Sequence, residues 1–118
     1  MEPHHMKNSF TRRLSPVRIA ILDLSQYTDE GIDGYMINRI NVPREFRGLG
    51  IGSALLNECI SCADAEGVTL YLGIMPSDGL DFDALESWYK RYGFVDTGDN
   101  FWVRESCGVR PLKQRILP

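Results

Sequence analysis

The chain has 118 residues, 43% hydrophobic and 25% charged, which suits one globular domain with a single core. A net charge of −3 and a pI near 5.3 argue against a broadly basic nucleic-acid-binding surface. No apolar run approaches the about 20 residues of a membrane span, no signal-peptide pattern is present, and an odd count of three cysteines does not make a closed disulfide set.

Residues 1–8 read as a leader, disordered or appended, with His4 and His5 ahead of a candidate native start at Met6. A single domain is expected over 9–109, and 110–118 reads as a basic tail or an oligomer contact. Val17 to Leu24 is apolar and β-branched enough for a strand, whereas Ser25 to Gly34 is polar and turn-like. From Tyr35 to Val42 the residues alternate, which predicts a strand with Met36, Asn38, Ile40 and Val42 on one face and Tyr35, Ile37, Arg39 and Asn41 on the other. Ile51 to Glu66 carries Ile51, Leu55, Leu56, Cys59, Ile60 and Ala63 at helical spacing, with Gly67 placed to end the helix. Val68 to Met75 reads as a strand stopped by Pro76. Asp83 is placed to N-cap the next helix, with Glu86 at the capping-box position and Gly93 at the end. Phe94-Val95 and Phe101 to Arg104 close a hairpin around Asp99-Asn100. The predicted class is therefore α/β with a mixed sheet.

Chemistry concentrates where the strand ending at Val42 meets the helix beginning at Ile51. Arg47 opens a turn in which Gly48, Gly50 and Gly52 remove every Cβ that would hold an anion away from the backbone. The following helix offers unpaired N–H groups and a partial positive charge at its first turn. Strand, glycine turn and helix N-terminus make a phosphate site. The dinucleotide pattern G-x-G-x-x-G fails, because its third glycine falls on Ser53 or Leu55, and no Gly-Lys-Ser/Thr follows for a Walker loop. What remains, Arg47-x-x-Gly50-x-Gly52, resembles the acetyl-CoA pyrophosphate signature of the GNAT superfamily, the Gcn5-related N-acetyltransferases. A second block, Asp83 to Phe94, is similar to that family's segment in which a helix ends at Gly-Phe and a tyrosine lies four residues before the glycine; here it is Tyr89.

The resemblance implies a GNAT-like fold whose two central parallel strands, Tyr35–Val42 and Val68–Met75, splay apart around acetyl-CoA, a co-substrate that needs no metal. It implies that the pantetheine arm pairs with the backbone at Ile40, Asn41 and Val42. The pyrophosphate would lie on Arg47, Gly48, Leu49, Gly50, Ile51, Gly52 and Ser53, with Arg47 shaping the loop. An amine would attack the thioester directly in a ternary complex, and Tyr89 would protonate the leaving thiolate. Leu85, Trp88, Tyr89 and Tyr92 equally fit a core stripe at i, i+3, i+4 and i+7. Two departures stand out: Phe82 occupies the position where the family often has an asparagine, and the helix pair that often precedes the first splayed strand has no room.

No general base declares itself. Asp33 and Gly34 stand where some family members carry a glutamate, and Glu45 lies in the turn. Asp78, Asp81, Asp83 and Glu86 form either a solvated rim or a lure for cationic amines. The acceptor is expected to be a small-molecule amine or a peptide or protein amine, with no membrane and no nucleic acid as partner, and a homodimer would complete an open acceptor side. The alternatives to an N-acetyltransferase are a non-catalytic acyl-CoA-binding or regulatory module and a partner-binding protein on the same fold. Cys59 and Cys62 make a C-x-x-C inside a helix with no second ligand pair, so they read as packed, reduced thiols of a cytoplasmic protein rather than a zinc site.

Overall fold

The computed structural model describes residues 6–29, 31–74 and 82–106. Among these residues six strands form one mixed sheet: β1 (Ser9–Ser15), β2 (Arg18–Asp29), β3 (Ile32–Asn41), β4 (Thr69–Gly73), β5 (Val95–Asp96) and β6 (Phe101–Arg104). Their order across the sheet is β1-β2-β3-β4-β6-β5. Among the described residues two helices, α1 (Ile51–Glu66) and α2 (Phe82–Arg91), pack with one face of this sheet around a common core. A 3-10 turn, Arg44–Phe46, lies between β3 and α1.

The first hairpin differs from the sequence expectation in two ways. A strand, β1, pairs antiparallel with β2, and only Phe10 along it is buried. Its arginines and polar residues are those of a sheet edge, where one face and one flank meet water. Met6, read as part of the leader, is 7% exposed in the core, and Asn8 O accepts a bond from Leu24 N at 2.8 Å. The polar stretch Ser25–Gly34 is also strand for most of its length, with Gln26 opposite Tyr35, Tyr27 opposite Gly34 and Thr28 opposite Asp33. Cross-strand partners override weak local propensity there. Gly31, at φ +81°, takes up the reversal.

The alternation expected along β3 breaks at Asn38. Leu24 faces Ile37 and Asp23 faces Arg39, so Asn38 is the extra residue of a β-bulge. Leu22 and Leu24 point to the same side of β2, and their partners Ile40 and Ile37 therefore share the core face despite lying three apart. Ile40 and Val42 accordingly join Tyr35 and Ile37 against the core, and the two-face assignment made from strict period 2 is corrected beyond Asn38.

β3 and β4 run parallel but share only three rungs: Gly34 with Thr69, Tyr35 with Leu70 and Met36 with Tyr71. Beyond them Leu72 and Gly73 pair only with Trp102 and Phe101 of β6, while β3 continues along β2 as far as Asn41. The central strands diverge, as the resemblance implied. Gly34 is required at the closed end, because a Cβ there would collide with Thr69 O and lie 2.7 Å from Tyr71 Cε2. Tyr71 turns away from the helices and stacks with Phe101, ring centroids 5.6 Å apart, and edge-on with Tyr27 at 4.9 Å.

α1 buries Leu55, Leu56, Cys59, Ile60 and Ala63 and ends at Gly67, whose φ of +70° lets Val68 N bond back to Ala63 O at 3.0 Å. α2 begins at Phe82, so Asp83 lies in its first turn rather than at the cap, where a carboxylate still favours the helix dipole. Arg104 of β6, 9% exposed, ties both helices together. Its guanidinium grips Asp64 of α1 at 2.8 and 3.3 Å, and its Nε–H donates to Tyr92 O just after α2 at 2.7 Å.

The β5–β6 turn holds the open end of β4. Asn100, at φ +60°, donates from Nδ2 to Ile74 O at 2.6 Å, and its Oδ1 accepts from Ile74 N at 3.4 Å and Trp102 Nε1 at 3.2 Å. The side chain thus acts as a strand partner for the residue just past β4. Asn100→Ala should strip partners from these part-buried groups and cost about 1–3 kcal/mol of stability. Urea unfolding checks this, and a loss below about 0.5 kcal/mol would show that water replaces the clamp.

Candidate functional site

A cavity of about 370 Å³ opens at the end of β3 and the start of α1, beyond the last rung that β3 shares with β4. Ile40, Asn41 and Val42 form one wall, and Arg47, Gly48, Gly50, Ile51, Gly52 and Ser53 form the turn side. Of the ten residues that the sequence brought forward for a cofactor, only Leu49 stands outside, 69% exposed.

The turn is shaped by backbone geometry. Gly48 and Gly50 have φ of +82° and +83°, with nothing within 4 Å of where a Cβ would stand. Glycine is therefore needed for the backbone conformation at these two positions, and the space beside them stays open. Gly50 is the N-cap of α1 and has no side chain to cap it. The first helical bond is Ala54 N to Gly50 O at 3.0 Å. The N–H groups of Ile51, Gly52 and Ser53 precede it and find no partner within the helix. No acidic residue stands in this first turn, so the positive end of the helix dipole is not offset there.

Arg47 is half-buried, and its Nε–H donates to Val42 O at 2.8 Å. The bond closes the turn onto the end of β3. Glu45 points elsewhere, its carboxylate 2.8 Å from the Arg18 guanidinium of β2. Asp33 accepts from the Thr28 hydroxyl at 3.1 Å and sits seven residues before Ile40, roughly 20 Å along the strand. Neither carboxylate belongs to the cavity wall. Asp78 and Asp81 lie outside the described residues, while Asp83 is exposed and Glu86 half-buried on α2.

The opposite wall comes from α2, through Ala84, Leu85 and Trp88, and Phe46 closes the turn side. These four residues were not read from the sequence as site residues. The stripe that holds Leu85 and Trp88 did signal an inward face, but not which part of it meets a cavity. Trp88 donates from Nε1 to Ser53 Oγ at 3.3 Å, and its ring would lie 4.0 Å from a Cβ at Gly52. Tyr89 is not part of the cavity wall. Its ring packs edge-on against Trp88 at 5.0 Å and Phe94 at 5.6 Å. Phe82, at the departure from the family pattern, packs half-buried against the core.

Burial pushes the Tyr89 hydroxyl up to about 12, so the phenol stays protonated across the physiological range. Burial, with Cys62 beside it and Arg104 opposing, likewise raises Cys59 to about 12, which keeps that thiol inert. Among the described residues no group of His, Cys, Asp and Glu is arranged to hold a metal ion. A raised tyrosine favours the folded state up to its unfolded value near 10 and loses that contribution as pH climbs toward 12. Absorbance titration at alkaline pH should therefore show a component ionising near pH 12 in the folded protein, absent from Tyr89→Phe. Its persistence in the variant would assign it elsewhere.

The family model of the acetyltransferase (GNAT) domain matches residues 17–96. The fold is similar to PH1933 from Pyrococcus horikoshii OT3, with 20% identity and a TM-score of 0.65 over 80% of this chain and 62% of that one. It is similar to the anti-CRISPR protein AcrVA5, with 22% identity and a TM-score of 0.58 over 82% of this chain and 98% of the other. It also resembles Arabidopsis thaliana Naa50 in complex with the bisubstrate analogue CoA-Ac-MVNAL, with 21% identity and a TM-score of 0.55 over 71% and 61% of the two chains. The chain thus spans less than two thirds of PH1933 and of Naa50. No curated protein sequence matches it. With a family match over more than half its length, and the diverging strands and glycine turn of that fold, this chain belongs to the GNAT acetyltransferase family.

Proposed function

We propose that the protein is an acetyl-CoA-dependent N-acetyltransferase that passes an acetyl group to a primary amine. One observation carries this reading: the end of β3 at Ile40, Asn41 and Val42, the glycine turn and the uncapped first turn of α1 all line one cavity. That is a row of backbone groups leading to an anion site, which fits a pantetheine arm ending in a pyrophosphate. The complex of Naa50 with an analogue joining CoA to a peptide supports the same use of the fold.

The chain's residues divide the work. The N–H groups of Ile51, Gly52 and Ser53 bind phosphate oxygens, and Arg47 holds the turn in shape through Val42 O. Backbone at Ile40, Asn41 and Val42 orients the arm, so that the thioester lies where the strands part. An N–H near Val42 polarises the carbonyl oxygen. The neutral amine attacks the carbonyl carbon, a C–N bond forms and the C–S bond breaks. The sulfur takes a proton from the Tyr89 hydroxyl, and the amine gives up its proton to water. Buried, reduced Cys59 suits a reducing compartment, and we place the protein in the cytoplasm. No described helix is long and apolar enough to cross a membrane.

A second reading rests on the place of Tyr89, packed beside Trp88 and off the cavity wall. In it the chain binds acyl-CoA without turnover.

Ser53→Glu tests the anion site. A carboxylate in the first turn favours the helix by about 0.3–1 kcal/mol yet repels a phosphate. Thermal stability should hold or rise while CoA affinity, by calorimetry, falls at least about tenfold, or ~1.4 kcal/mol. Equal affinity in the two proteins would remove the pyrophosphate from α1. Tyr89→Phe tests the chemistry: acetyl-CoA affinity should stay and kcat should drop by about 10²–10⁴-fold. An unchanged kcat would leave Tyr89 with a packing role only, and a wild type that binds CoA without acetylating any amine in a broad acceptor screen would establish the second reading.

A further inference from the structure

Ser53 and Trp88 come from different elements and meet at the mouth of the anion site. The indole N–H is a donor with no acceptor capacity, whereas a hydroxyl is both donor and acceptor. In the contact at 3.3 Å between Trp88 Nε1 and Ser53 Oγ, the serine oxygen must therefore accept. Its own proton is left to point away from the indole. Both residues line the cavity, and Ser53 is the third residue of α1, among the N–H groups that have no partner within the helix. Gly52 makes the approach feasible, since the indole sits where a longer side chain on residue 52 would reach. Trp88 is itself held from behind, its ring edge-on to Tyr89 at 5.0 Å and Tyr92 at 5.6 Å.

We propose that Trp88 is a positioning residue: its indole N–H fixes the Ser53 hydroxyl as an acceptor, so that the hydroxyl proton is presented to the pyrophosphate bound at the first turn of α1. This rests on the acetyl-CoA reading and adds a side-chain donor to the backbone donors. It also gives α2 an indirect part in binding the phosphate, through the Ser53 hydroxyl. Steric blocking is a different role for the same tryptophan and makes the opposite prediction, since a smaller side chain would then improve binding.

The test is calorimetric titration of CoA into wild type, Trp88→Phe, Ser53→Ala, Ser53→Thr and the double variant Trp88→Phe/Ser53→Ala. A hydrogen bond to a charged group is the stronger kind, so Ser53→Ala should weaken CoA binding about tenfold. Trp88→Phe keeps an aromatic ring but loses the N–H together with part of the fused ring, and it should weaken binding about three- to tenfold. The double variant should be no weaker than Ser53→Ala, because the indole acts through the hydroxyl. Ser53→Thr, which retains the hydroxyl, should bind nearly as wild type does. Dephospho-CoA, which lacks the 3′-phosphate and keeps the pyrophosphate, should show the same losses. Additive losses, or tighter binding by Trp88→Phe, would overturn the proposal, as would losses that vanish with dephospho-CoA. Wild type that binds CoA alongside an unaffected Trp88→Phe would sink this inference alone. Wild type that does not bind CoA would sink the acetyl-CoA reading and this inference with it.

Discussion

The site exists because two parallel strands stop pairing. β3 and β4 are joined by three rungs and then separate, each retained by its outer neighbour, β2 or β6. Sheet hydrogen bonds are ordinarily satisfied on both sides in the interior of a sheet, so an interior strand with a free flank is a cost the fold must offset. It does so at both ends of the divergence. At the closed end Gly34 lets the strands approach, with the Tyr71 ring beside it. At the open end Asn100 pairs with both backbone groups of Ile74 and keeps that segment with β6. The Asn38 bulge lets Ile40 and Val42 pack against the core, and with Asn41 they also line the cavity.

Holding the gap open also requires the helices to stay in place. Arg104 does this from the sheet, binding an α1 carboxylate with two nitrogens and a carbonyl just beyond α2 with the third. The pair with Asp64 is largely shielded, with side-chain exposures of 10% and 25%. A lone guanidinium at that depth would carry a heavy desolvation cost, and the paired carboxylate together with the Tyr92 carbonyl answers it. Gly93, at φ +94°, turns the chain beside it, and a Cβ there would come within 3.2 Å of Arg104 Nε. The glycine that ends the tyrosine helix in the sequence motif thus also makes room for the arginine.

The parts of the site legible in the sequence are those whose determinants are local. Arg47, Gly48, Gly50 and Gly52 lie within six residues, and a turn followed by an amphipathic helix needs no distant partner to be read. The strand and helix succession from Tyr35 onward was legible for the same reason, since period 2 and period 3.6 are local signals. What escaped depends on partners far along the chain. β1 is polar because it is an edge, and Ser25–Gly34 is strand because Tyr27 and Thr28 find Gly34 and Asp33 across the hairpin. The bulge at Asn38 is invisible to an alternation count, which assumes that every residue advances one face. Trp88 was legible as inward-facing, but its meeting with Ser53, 35 positions earlier, is a tertiary fact.

The tyrosine helix shows why a hydrophobic stripe is a poor guide to chemistry. Leu85, Trp88, Tyr89 and Tyr92 occupy one face of α2 by spacing, yet the structure divides them. Leu85 and Trp88 meet the cavity, whereas the Tyr89 ring is packed between Trp88 and Phe94. Burial is what raises the Tyr89 hydroxyl to about 12, and it makes the phenol a weaker acid at the same time as it keeps the proton in place. A donor of that kind serves a leaving thiolate only if water is kept away and the sulfur is brought close. Trp88 lines the cavity and packs against Tyr89, and it also ties α2 to the first turn of α1 through Ser53. In the proposed acetyl transfer, binding geometry and proton delivery would therefore meet at one indole.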